Sequence, residues 1–241
     1  MHILSEVGKA GMVTITQATF RSPPTEMVQA YDEHENAFLQ LETYYITKRC
    51  LDICVSLIGL ALLAMLLPIL GLLIFLEDRH AIIYKQKRVG LQGRPFTTYK
   101  LRTMVVDADD YLARHPELQR AWKQKGKLSH DPRITRIGCL LRRTSLDELP
   151  QFWNVLRGEM TLVGPRAIQS SELAAFGELS QLRQKVKPGL TGLWQISGRS
   201  CTTYQQRCVL DCIHVIECSL WADILILIRT IPAVLCARGA Y

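Results

Sequence analysis

The chain has 241 residues, enough for one or two domains, and its Lys and Arg outnumber its Asp and Glu by 29 to 22. The charge is split: residues 1–47 sum to −4, which leaves +11 on the remainder. That excess suits anionic lipid, phosphorylated ligands or nucleic acid, and the polarity excludes an ordinary multispan membrane protein. The eight cysteines form no CxxC pair and read as small apolar residues in a reducing compartment. His214, two residues after Cys212, reads as packing rather than as a metal ligand. The N-terminus lacks an apolar signal core, so an internal segment must do the targeting.

Residues 1–47 mix Gly, Pro, Thr and acidic side chains without periodicity, and the reading is a partly flexible extension. Lys48, Arg49 and Asp52 then precede a 24-residue run, Ile53–Leu76, that holds no charged side chain and contains Pro68. As a helix the run would be about 36 Å long, enough for a hydrocarbon core of roughly 30 Å. Arg88 and other bases follow it, so basic residues flank both sides, whereas a single crossing prefers them on one side. A helix that enters, bends at Pro68 and leaves on the same face satisfies both flanks, with Ser56 as a candidate cap and Lys48, Arg49 and Arg88 at the headgroups. A true span and a buried soluble helix are the alternatives. The expected domains are the extension 1–47, the membrane segment 48–80 and a catalytic domain 81–241.

Beyond residue 80, short extended segments are expected at 81–84 and 94–100, with Gly90 and Gly93 between them. Helix is expected over 104–125, interrupted at Pro116, and again over 145–156 and 201–218, with an ordered element over 134–141 and a Gly/Pro-rich loop over 187–198. The segment 221–235 is strongly apolar yet holds Asp223 and Arg229, which fits either a core helix or an interfacial one.

The densest polar cluster is Arg142-Arg143-Thr144-Ser145-Leu146-Asp147-Glu148-Leu149-Pro150. Ser145 and Glu148 have capping-box spacing; alternatively Pro150 marks the first helical residue. The cluster reads in two ways. It is a solvated helix start, or it is a phosphoryl-transfer site in which Asp147 attacks phosphorus, Glu148 holds metal or a proton, Arg142 neutralises phosphate oxygens and Mg²⁺ screens the diphosphate. Gly164-Pro165 presents Arg166 on a turn, and Lys100, Arg102, Arg133 and Arg136 add positive charge.

These residues carry a resemblance. Lys48-Arg49-Cys50-Leu51-Asp52, the proline-broken apolar run, the Phe96–Met104 and Asp131–Gly138 segments, Leu141–Gln151, Gly164-Pro165-Arg166 and Pro188–Arg199 together resemble the bacterial sugar transferases of the monotopic polyprenyl-phosphate phosphoglycosyl transferase superfamily. The resemblance runs from about Lys48 to the C-terminus. It implies a mostly helical α/β fold: a re-entrant helix-break-helix in the membrane and a compact cytoplasmic catalytic domain with interfacial amphipathic helices. It implies a UDP-sugar donor, polyprenyl (undecaprenyl) phosphate as acceptor, Mg²⁺, a bacterial inner-membrane location, and Asp147 as nucleophile in a dyad with Glu148. Arg142 is implied as a phosphate contact and Arg166 as a residue near the nucleotide. Ala167 stands where the family has a second proline, which implies a looser turn. The rival expectation is a membrane-tethered basic module that binds anionic lipid or nucleic acid without catalysis. For the enzyme, nucleic acid is not a partner, and weak self-association on the membrane surface is an expected one.

Overall fold

In a computed structural model, the structure describes residues 42–125, 128, 130–177, 179–197, 203–217 and 219–235. The expectations for residues 1–41, Gly198, Arg199, Cys201, Cys218 and Cys236 lie outside these. The described part is mostly helical, with two small two-stranded sheets.

Helix α1 (Glu42–Asp78) contains the whole apolar run and begins well before it. The chain stays helical through Pro68, although a proline there leaves the Ala64 carbonyl without its usual donor. The expected break is therefore not a change of secondary structure. Ser56 caps nothing; it is fully buried and its hydroxyl makes no hydrogen bond. Among the described residues, α1 is the one helix long and apolar enough to cross a membrane. Ile58, Leu62, Met65, Ile69, Leu72 and Leu76 are exposed along it. So many exposed large apolar side chains on one helix mark a lipid-facing surface.

Strands β1 (Ile83–Val89) and β2 (Pro95–Leu101) pair antiparallel as a hairpin, with Ile83 opposite Leu101 and Arg88 opposite Phe96. The first expected strand, 81–84, is shorter, and the second, 94–100, differs from β2 by one residue; the Gly90–Gly93 turn lets β1 run on to Val89. Helices α2 (Ala108–Arg114) and α3 (Pro116–Lys125) divide at His115, as Pro116 requires. Helix α4 (Arg136–Thr144) starts on Thr135, whose side chain accepts from the Gly138 N–H at 3.0 Å. Gly138 is essential to this placement, because a Cβ there would sit 2.1 Å from the Thr103 carbonyl oxygen. A 3₁₀ turn (Leu146–Glu148) and α5 (Gln151–Arg157) follow.

Strands β3 (Thr161–Val163) and β4 (Gly189–Thr191) pair in parallel. Between them lie a 3₁₀ segment (Ser170–Phe176) and α6 (Leu179–Gln184); after them come α7 (Leu193–Ile196), α8 (Tyr204–Ile216) and α9 (Leu220–Leu235). The main core joins Val155, Met160, Leu162, Val163, Leu193, Leu210, Ile213 and Ile226. A second cluster gathers Leu70 and Ile74 of α1 with Leu101 and Leu141. Burying side chains of this size contributes roughly 1.5–3 kcal/mol each. Helix α9 has a buried face, Ala222, Asp223 and Ile226, as a core helix does, and exposed apolar side chains at Trp221, Ile228 and Ile231.

Candidate active site

Ser145 does not cap a helix with its side chain. It closes α4 in a left-handed conformation, φ 58°, and its N–H bonds to the Arg142 carbonyl. A non-glycine residue at positive φ is strained. The reversal ends α4 and sets Leu146–Glu148 in the 3₁₀ turn that carries both carboxylates. Of the two sequence readings, the helix start at Pro150 is the closer one, since α5 follows it directly.

Asp147 and Glu148 line a cavity of about 1140 Å³. Asp147 is buried, at 8% exposure. Burial first, and then the charge of Glu148, pushes its carboxyl up to about 6, against the pull of Lys100, Arg142 and Arg166. Glu148 is held differently. Lys100 Nζ donates to its Oε1 at 2.7 Å, and Arg166 Nη1 lies 3.7 Å from the same oxygen. Adjacent carboxylates thus occupy unlike environments, the arrangement that separates acid–base roles.

Arg142, Arg166, Lys100 and Arg102 all line the cavity. Arg142 Nε is fixed by the Thr103 hydroxyl at 2.9 Å. Arg102 Nη1 lies 3.9 Å from Asp78 at the end of α1. Arg133 and Arg136 are not brought to the cavity wall. Arg133 is buried and bound to both oxygens of Asp131, at 2.9 and 2.7 Å, so its fork is already filled by that carboxylate. The Arg136 backbone N–H bonds to Glu77, which receives the start of α4.

The flanks of the apolar run are also placed differently from expectation. Lys48, Arg49 and Asp52 bind the domain instead of facing headgroups. Lys48 Nζ bonds to Asp223 Oδ2 at 2.5 Å and to the Val163 carbonyl at 2.9 Å. Arg49 donates to the Val155 and Leu156 carbonyls, and Asp52 accepts from the Leu162 N–H and the Thr161 hydroxyl. The physical reason is that α5 and β3 pack against this end of α1, and their chain ends leave carbonyl and N–H groups that need partners. Arg88 lines the cavity rather than a membrane edge, and its Nη1 donates to the Ala167 carbonyl at 3.2 Å. The strand pairing of β1 carries it there. The Ala167 carbonyl is held by Arg88, and Ile168 bridges to Val89.

The Arg166 segment is braced from several elements. The Gly189 N–H bonds to the Pro165 carbonyl at 2.7 Å, and the Gly164 N–H to the Thr191 carbonyl at 2.9 Å. Arg183, paired with buried Asp211 at 2.9 Å, donates to the Arg166 carbonyl. The pair Arg183–Asp211 and Arg207 escaped the sequence reading, and Trp194 entered it only inside the Pro188–Arg199 stretch. They come from α6, α7 and α8, and no local pattern joins them.

A divalent cation fits the donor set to a limited degree. No group of three metal-ligating side chains occurs among the described residues. Two adjacent carboxylates, one of them raised to about 6 by burial first and then by the charge of the other, could hold a cation such as Mg²⁺, which takes one or two carboxylates and completes its shell with phosphates and water.

The bacterial sugar transferase family model matches residues 43–237. The chain is 47% identical over 189 residues to the UDP-galactose-lipid carrier transferase of Erwinia amylovora, covering 76% of this chain and 40% of that protein. It is 40% identical over 201 residues to the exopolysaccharide production protein ExoY of Sinorhizobium fredii, covering 81% of this chain and 88% of that one. It is 38% identical over 205 residues to the UDP-glucose:undecaprenyl-phosphate glucose-1-phosphate transferase of Caulobacter vibrioides, covering 81% and 72%. The match spans the membrane-length helix, the carboxylate turn and the braced arginine loop alike, and the chain belongs to the bacterial sugar transferase family.

Proposed function

We propose that the protein transfers a sugar 1-phosphate from a UDP-sugar to a polyprenyl phosphate, undecaprenyl phosphate in a bacterial inner membrane, through a covalent intermediate on Asp147. The observation that carries this reading is the buried Asp147 on a cationic cavity wall, beside a Glu148 already engaged by Lys100. A basic binding module has no use for a carboxylate kept out of water among the cations that would bind its ligand.

In the first step an Asp147 oxygen attacks the phosphorus that bears the sugar. The bond from that phosphorus to the bridging oxygen breaks, and UMP leaves with the electron pair. The sugar phosphate remains as an acyl phosphate on Asp147. In the second step a phosphate oxygen of the lipid attacks the same phosphorus and returns the Asp147 carboxylate, giving a polyprenyl diphosphate sugar. Arg142 and Arg166 neutralise the phosphoryl oxygens as they gather charge. Lys100 and Arg166 keep Glu148 turned to its place beside Asp147. Mg²⁺, held by Asp147 and Glu148, would supply charge screening between the carboxylates and the diphosphate.

The same reading makes α1 re-entrant, with the catalytic domain on the cytoplasmic face. The support is that one domain holds both ends of the helix. Lys48 and Asp52 are tied to β3, while Glu77 accepts from the N–H groups of Arg136 and Ile137 at the start of α4. The test of function is UMP release from a panel of UDP-sugars with Mg²⁺ or EDTA. The proposal requires release with at least one sugar, dependence on Mg²⁺, and loss in Asp147→Asn. Full turnover in that variant would refute the assigned nucleophile.

A further inference from the structure

The cavity has two chemically unlike walls. One carries the dyad with Lys100, Arg88 and Arg166; the other carries Leu227, Ile228, Ile231 and Val234 of α9. Ile228 and Ile231 are also exposed, so this apolar wall continues to the outer surface. Trp194, Thr191, Thr230 and Arg207 line the cavity as well. The Arg207 guanidinium lies 4.8 Å from the Trp194 ring centroid, and the Arg166 guanidinium 5.7 Å from the same ring. Trp194 is only 9% exposed, and its ring carries both guanidinium groups at the cavity lining. The Thr191 and Thr230 hydroxyls, 2.8 Å apart, tie β4 to α9 at the same wall.

Two guanidinium groups over one indole in the cavity lining make a positive patch that attracts an anionic group. A ligand that meets a cationic edge and a continuous apolar face together is an amphiphile with an anionic head. The donor lacks such a tail; a long-chain lipid phosphate has it.

Resting on the proposed transferase reading, we propose that Arg207 is an acceptor-recognition residue: with Arg166, which lies by the same Trp194 ring, it binds the phosphomonoester head of the polyprenyl phosphate, while the α9 face Ile228–Ile231 takes the first isoprene units. Arg166 then serves both phosphates, and Arg207 serves the acceptor alone.

Two measurements test this. In nanodiscs, retention of undecaprenyl phosphate is compared with that of undecaprenol, the same chain without the phosphate. Wild-type protein prefers the phosphate; Arg207→Ala loses that preference, and Arg207→Lys recovers part of it. In the second measurement, single-turnover UMP release without lipid is set against the KM for undecaprenyl phosphate. Losing one charge-assisted phosphate contact corresponds to about a 10- to 100-fold rise in that KM. Release of UMP reports an intact donor site and a folded protein, and changes less than about twofold. Unaltered lipid-phosphate preference in Arg207→Ala overturns the assignment. So does a slowed UMP release with an unchanged acceptor KM, which would place Arg207 on the donor nucleotide. Arg207-dependent lipid-phosphate binding by a wild-type protein that releases no UMP would leave this site standing and sink the transferase reading.

Discussion

Lys100 donates to Glu148 across 2.7 Å, whereas the neighbouring Asp147 is pushed up to about 6 by burial and by the Glu148 charge. Lys100 comes from β2 and the carboxylates from the turn after α4, so the hairpin supplies the cation that lets two adjacent acids ionise. Replacing it by Met removes that attraction and moves the acid limb of the rate profile to higher pH. The expected loss at pH 7 is about 10- to 100-fold, recovering in part at pH 9. The pH dependence of single-turnover UMP release checks this.

A nucleophilic carboxylate must be ionised, so wild-type UMP release should rise with pH through about 6. Stability moves the opposite way. The Asp147 carboxyl is raised in the folded state above its unfolded value near 3.8. The unfolded chain therefore releases this proton first, and the contribution of Asp147 to stability is present below that value and lost as pH rises through about 6. Asp147→Asn, which never ionises, should gain on the order of 2 kcal/mol over wild type at pH 7.5 and little at pH 4. Thermal unfolding in detergent at the two pH values reads the difference.

The Lys48–Asp223 pair joins the membrane helix to α9, and Lys48 also holds the Val163 carbonyl next to the Arg166 loop. Tyr44 donates to the same Asp223 oxygen at 3.0 Å. Removing one partner leaves a buried charge, at a cost of about 3–5 kcal/mol. Lys48→Met and Asp223→Asn should each destabilise strongly, and the double variant should lose clearly less than their sum. A double-mutant cycle from chemical unfolding gives the coupling directly.

If α1 is re-entrant, Ile46 and His80, both exposed at its two ends, lie on the cytoplasmic side. In a background without the exposed Cys50, Cys54 and Cys139, cysteines at 46 and 80 should label together in inverted vesicles and neither in intact spheroplasts. Labelling from opposite faces would make α1 a span and leave the dyad chemistry untouched.

The sequence made some parts legible and hid others for physical reasons. An uncharged run of 24 residues can be little else than a lipid-facing helix, and Asp147, Glu148, Arg142 and Arg166 lie in dense local motifs that the fold brings to one cavity. Lys48, Arg49 and Asp52 misled because a basic flank of an apolar run ordinarily snorkels; their partners Val163, Val155, Leu162 and Asp223 lie more than 100 residues away. Arg88 misled for the same reason, since only the register of β1 on β2 carries it inward. Ser145 was ambiguous because its left-handed backbone is fixed by the join of α4 to the following turn, not by its own side chain. The Arg207–Trp194–Arg166 stack needs α7, α8 and the loop after β3 to meet, which no spacing announces.

The covalent step on Asp147 is the central claim, and intact-protein mass spectrometry tests it most directly. Protein incubated with its UDP-sugar and Mg²⁺ and no lipid acceptor should release about one UMP per chain and gain the mass of one sugar phosphate, mapped to Asp147 after digestion. Added undecaprenyl phosphate should discharge it. UMP release that requires the lipid, with no adduct trapped at any time, would show direct transfer and contradict the account.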